Sequence, residues 1–319
     1  MTIRLIKFTA GIVSLLAGLS FGLAGCNRAP TSNTELPAGS PTTGIVFVST
    51  RDGNEELYRL QADGSGTLRL TNNDAVDSEP AWSPDGTRIA YRSRQDGSSD
   101  IFIMDPDGHQ RVNLLNDPAD SFDDEFNPQW HPDGDRLAIY TDRAPPTGCT
   151  AHTLAQMTLL DGPAGIAKAP TSAESYTWSP DGQSLLAVTR CISPQGAFYT
   201  WDPEIDRVSR FTPAVDLPFP GHPAYSPDGR FLAFQATVAE NTDIYLLDIA
   251  SGEIQQLTTH PAKDTKPTWS PDGREMAFVT GRDGNDEIYI MSRDGDNKRN
   301  LTNHPARDDW PHWSPSTGQ

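Results

Sequence analysis

The chain has 319 residues, with 43 Asp and Glu against 25 Lys and Arg and a formal net charge of −18. That balance argues against a protein that grips a phosphate backbone, which needs clustered Lys and Arg, and the sequence carries no basic stripe. The acidity suits a solvated, self-repelling surface and would draw cations or basic proteins.

Residues 1–25 read as a lipoprotein signal peptide. Arg4 and Lys7 give a positive start, and an apolar run through Leu23 follows, too short for a membrane span. The run ends in Leu23-Ala24-Gly25-Cys26. This resembles the bacterial lipobox, which implies cleavage before Cys26 and lipidation of its thiol. Each buried methylene of such a lipid contributes about 0.8 kcal/mol, so several chains on one Cys anchor stably. Asn27 stands where an Asp would resemble an inner-membrane retention signal. The expected address is the periplasm-facing outer membrane of a diderm cell, or the outer face of the cytoplasmic membrane of a monoderm one. Residues 26–43 carry Pro30, Pro37 and Pro41 among small polar residues, a composition expected to form a disordered tether.

From residue 44 onward one segment recurs. Trp82-Ser83-Pro84-Asp85-Gly86 is echoed at Trp130, Trp178, Tyr225 and Trp269, and in eroded form as Trp313-Ser314-Pro315-Ser316. The copies begin 48, 48, 47, 44 and 44 positions apart, a period that marks a repeat architecture. Within one repeat, Glu79 to Ser83 predicts a strand and Pro84-Asp85-Gly86 a turn. Arg88 to Ser93, Asp100 to Met104 and Gln110 to Leu115 predict three more strands, each after a short turn. The third strand is apolar at consecutive positions, so both faces of its sheet are expected to be buried. Small residues recur in the second strands at Ala90, Ala138, Ala233 and Ala277. Sheets stacked radially about an axis meet both conditions, which predicts an all-β propeller of six like four-stranded antiparallel blades over residues 44–319. The copy at Trp313 has no further strands after it, and the unit at Ile45 has no first strand before it. Together they are expected to complete one blade, closing the ring and removing open sheet edges.

The motif Pro-x-Trp-Ser-Pro-Asp-Gly, the turns Arg51-Asp52-Gly53-Asn54 and Arg282-Asp283-Gly284-Asn285, and the closing Leu70-Thr71, Leu257-Thr258 and Leu301-Thr302 resemble the TolB-like propeller family. The resemblance covers residues 44–319. It implies a propeller fold and a place in the cell envelope, where TolB serves the Tol–Pal system. TolB carries an α/β domain before its propeller and is soluble, whereas here the tether and Cys26 precede Ile45, so the expectation is a TolB-like lipoprotein rather than TolB itself.

Carboxylates recur five positions before the repeat aromatic as Asp77, Glu125, Asp264 and Asp308, with Glu174 and Asp309 one residue later. Gathered at the channel mouth they could hold a hard cation such as calcium; the alternative is that each bonds the backbone of its own turn. His222, His260, His304 and His312 fall on different blades without ligand spacing and read as turn residues. Cys149 and Cys191 follow the second strands of adjacent repeats and are a candidate disulfide of an exported protein; two buried thiols are the alternative. No Gly-x-Ser-x-Gly turn, P-loop or His-Glu-x-x-His occurs. Two functions fit. The first is a monomeric, non-catalytic envelope module that binds a protein partner. The second is a metal-dependent enzyme or glycan-binding protein centred on the channel, in the manner of polysaccharide lyases.

Overall fold

The computed structural model describes residues 44–95, 97–114, 124–141, 152–158, 167–189, 195–212 and 217–316, with the backbone alone for 152–158 and 167–172. All of them belong to the unit Thr34–Gln319. The signal peptide, Cys26 and the tether lie outside the described residues, as do Cys149 and Cys191.

β1 (Ile45–Ser49) and β2 (Glu56–Leu60) form a hairpin, extended by β3 (Leu68–Arg69). β4 (Asp77–Trp82), β5 (Ile89–Ser93), β6 (Asp100–Met104) and β7 (Val112–Asn113) then make an antiparallel sheet in chain order. The order recurs in β8 (Glu125–Trp130), β9 (Arg136–Thr141), β10 (His152–Thr158) and β11 (Ala167–Ala173). It recurs in β12 (Ser175–Trp178), β13 (Leu185–Thr189), β14 (Ala197–Asp202) and β15 (Arg207–Arg210). It recurs again in β16 (Gly221–Tyr225), β17 (Phe231–Val238), β18 (Asn241–Asp248) and β19 (Ile254–Gln256). β20 (Asp264–Trp269), β21 (Glu275–Thr280), β22 (Glu287–Ser292) and β23 (Arg299–Asn300) follow. β24 (Asp308–Trp313) returns to pair with β1, giving the sheet β24-β1-β2-β3. At this seam Gly44 N–H donates to Ser314 Oγ and Ser314 N–H to Gly44 O, both at 2.8 Å.

The first strands touch in the order β24, β4, β8, β12, β16, β20 and back to β24, so they form a closed ring. Six apolar clusters fill the spaces between neighbouring sheets. One of them joins Ile45 and Trp313 to Ala277 and Ile290 across the seam. Covered on both faces, β1, β2 and β6 are buried at every position, and each fully buried Leu, Ile or Phe contributes about 1.5–3 kcal/mol. The turns after the inner strands are held locally. Ser83 Oγ donates to Asp85 Oδ1 at 2.6 Å, and the N–H of Gly86, in the left-handed region at φ 69°, donates to Ser83 O at 2.9 Å.

The expectation of six like blades is corrected here. Of the six four-stranded sheets, only five share one kind of inner strand. In those five, Pro80, Pro128, Pro223, Pro267 or Pro311 offers no N–H to the ladder, and the register shifts at a β-bulge. The residue before each Pro takes positive φ: Glu79 55°, Asn127 54°, His222 45°, Lys266 51° and Trp310 53°. In β12 the place of the Pro is taken by Tyr176, and the strand pairs with β13 without a shift. The outer strand β11 also departs, with seven residues where the others have two to four.

Candidate functional site

The ring encloses an axial cavity of about 270 Å³, lined by residues of all six inner strands. The repeat position three before the aromatic delivers one residue per blade to its wall: Glu79, Asn127, Ser175, His222, Lys266 and Trp310. In the five bulged strands the bulge explains this placement, since the extra residue leaves the ladder and turns its side chain off the sheet. Around these positions the repeat is uniform, with Pro in five copies at the next residue and an aromatic in all six two residues later. At the cavity position no residue occurs twice.

Lys266 Nζ donates to both oxygens of Asp309 at 2.7 Å and lies 4.2 Å from the Trp310 ring centre. His222 meets the same ring edge-on at 5.6 Å, and its N–H donates to Ser175 Oγ at 2.9 Å. Burial holds His222 down at about 4, reinforced by Lys266 and opposed by Asp309. Burial also holds His312 at about 4, and its Nδ1 accepts the Trp82 N–H at 3.3 Å. Glu79 is pushed above the usual carboxylate range by burial, against Arg92 at 3.3 Å and a hydrogen bond from the Asn127 N–H.

Asp77, Glu125, Asp264 and Asp308, expected at a channel mouth, are buried and are not among the residues lining the axial cavity. Asp77, Asp264 and Asp308 are 0% exposed and Glu125 2%. Arg282 Nη2 donates to both oxygens of Asp264 at 3.1 Å, and Arg51 Nη2 to both of Asp308 at 3.1 and 3.0 Å. Asn73 Nδ2 donates to Asp77 Oδ2 at 2.8 Å, and Thr141 Oγ1 to Glu125 at 3.3 Å. Asp309 reaches the cavity through Lys266, while Glu174 is exposed. His260 and His304 are turn residues, each accepting a backbone N–H two residues on. Among the described residues no group of three or more His, Cys, Asp or Glu is placed to hold a metal. Sequence reasoning missed the cavity position and the arginines of the Arg-Asp-Gly-Asn turns. The first carried a signal, a residue that changes in every copy beside residues that do not.

Antiparallel sheets set radially about an axial cavity define a β-propeller. The chain belongs to the TolB beta propeller domain family, whose sequence profile matches residues 25–192 and 214–319. A Protein TolB homolog of Chlorobium luteolum is 28% identical over 209 residues, 66% of this chain and 35% of the homolog. That of Chlorobaculum tepidum is 49% identical over 49 residues, 15% of this chain and 11% of the homolog. The chain thus spans about a third or less of the length of these curated relatives. The crystal structure of TolB from Acinetobacter baumannii matches with a TM-score of 0.70 at 23% identity, covering 86% of this chain and 67% of that one. At that identity the likeness is one of fold.

Proposed function

We propose that this chain is a cell-envelope propeller that binds a protein partner without catalysing a reaction on it, taking a segment of the partner into the axial cavity. In the same reading, lipid on Cys26 holds the protein to a membrane and residues 26–43 act as its tether. The observation that carries the binding role is the set of six unlike side chains at the repeat position that lines the cavity in all six blades. A purely structural demand would be the same in every blade. Five of the six also hold a non-glycine residue in the left-handed region, a conformation that costs about 1–3 kcal/mol each and gathers at functional sites. Family membership and relatives named as Tol-Pal system proteins support an envelope setting.

The test is capture from solubilised envelopes with the full chain and with Trp310→Asn, a residue that tolerates left-handed backbone. One partner protein should be captured by the parent chain and lost at least tenfold by the variant, with both melting at the same temperature. Equal capture by the two chains would refute a role for the cavity.

A further inference from the structure

Three blades place an Asp at the start of the inner strand, opposite a hydroxyl residue on the second strand. Asp308 faces Ser49, Asp264 faces Thr280 and Asp77 faces Ser93. In the first two blades an Arg two residues beyond the hydroxyl completes a cradle. Arg51 Nε donates to Ser49 Oγ at 2.8 Å, its Nη2 clasps Asp308, and its guanidinium lies 5.3 and 4.8 Å from the Phe47 and Tyr58 ring centres. Arg282 repeats the arrangement with Thr280 at 3.2 Å, with Asp264, and with the Phe278 and Tyr289 rings at 5.5 and 4.7 Å.

The third blade keeps the cradle and changes the cation. Tyr91 and Phe102 stand 5.8 Å apart and tilted by 35°, the same values as Phe47 and Tyr58. The position of Arg51 and Arg282 is occupied by Gln95, which is exposed. Glu56 Oε2 is buried and finds no hydrogen-bond partner in the protein, while Asp77 Oδ1 and Ser93 Oγ, buried on paired residues, have only each other and the Thr71 hydroxyl within reach. Glu56, Asp77 and Ser93 are 0, 0 and 1% exposed. Asn73 ties the two carboxylates together, its N–H donating to Glu56 Oε1 at 2.9 Å and its Nδ2 to Asp77 Oδ2 at 2.8 Å. Arg69 meets Glu56 Oε1 at 3.1 Å and shares its charge with Asp52 at 3.3 Å, and no ion pair to Asp77 is formed among the described residues. Of the other cations beside this corner, Arg94 Nε donates to Ser99 Oγ, and Arg111 donates to the Leu70 and Gly108 carbonyls. Buried carboxylate oxygens without a donor are costly.

We infer that a divalent cation occupies this corner, bound by Asp77 Oδ1, Glu56 Oε2 and Ser93 Oγ with water completing the shell, in place of the guanidinium of the sister blades. Three hard oxygens and a residual negative charge suit calcium. The burial of all three residues suits an ion better than a side chain from another molecule.

The test uses calcium chloride with the full chain in detergent. One calcium per chain should be retained in equilibrium dialysis, and the melting temperature should rise by roughly 3–6 °C when free calcium is ten times its dissociation constant. Gln95→Arg should restore the guanidinium, raise the melting temperature without calcium, and abolish both calcium binding and the calcium shift. Asp77→Asn should abolish binding and shift as well, which keeps the test sound if the first variant folds poorly. No retained calcium in the parent chain would overturn the inference and leave the three oxygens to buried water. Retention that survives both substitutions would overturn it too, by placing the ion elsewhere.

Discussion

Arg282 and Asp264 show how a buried acid is tolerated in this fold. The carboxylate is 0% exposed and is held by two hydrogen bonds from one guanidinium nitrogen, while the arginine itself is only 14% exposed. Removing one partner of such a pair strands the other charge, which typically costs 3–5 kcal/mol. Arg282→Gln should therefore lower the unfolding free energy by about 3 kcal/mol in urea, and Arg282→Gln with Asp264→Asn should lower it less, because no charge is stranded. The buried histidines set a pH response. His222 and His312 lie near 4 in the folded protein, pushed down by burial, against about 6.5 when unfolded. The unfolded chain takes up these protons first, so the stability they contribute is complete above pH 6.5 and is lost as pH falls towards 4. Glu79 and Asp77, raised by burial, act in the opposite sense and gain as pH falls. Comparison with the double variant His222→Gln, His312→Gln at each pH isolates the histidines. The parent should lose on the order of 4 kcal/mol more than the variant between pH 7 and pH 5, about 2 for each histidine.

At the scale of the strand, the seam between β24 and β1 carries the fold. β1 is buried at all five positions, and without β24 its edge and the face around Ile45 and Phe47 would open to water. A chain ending at Arg307 should lose its cooperative melting transition and elute as aggregate in size exclusion, as expected of an uncovered apolar edge. A chain ending at Ser316 should remain monodisperse. The strands and turns were legible in the sequence because their signals are local: Ser-Pro-Asp-Gly sets a turn by its own hydrogen bonds, and consecutive apolar residues in β6 announce burial on both faces. The likeness of the blades was not legible to the same degree. Tyr176 in the place of Pro removes a bulge whose existence depends on pairing with β13. For the recurring Asp residues, sequence shows their period but not their register. Only the pairing of Asp264 with Thr280 and of Asp308 with Ser49 brings Arg282 and Arg51 onto them.

For the whole molecule, the repeat builds a closed ring and gives the cavity wall one residue of a different kind from each blade. The blade cores and turn hydrogen bonds are made from common parts, whereas Glu79, Asn127, Ser175, His222, Lys266 and Trp310 differ from blade to blade. The binding role is tested most directly by photo-crosslinking in envelopes, with a photoreactive amino acid at position 310 in the cavity wall or at position 205, where Ile205 is 60% exposed on a turn away from it. A discrete protein adduct from position 310 and none from position 205 is the expected result. No protein adduct from position 310, or the same adduct from both positions, would contradict a partner held in the axial cavity.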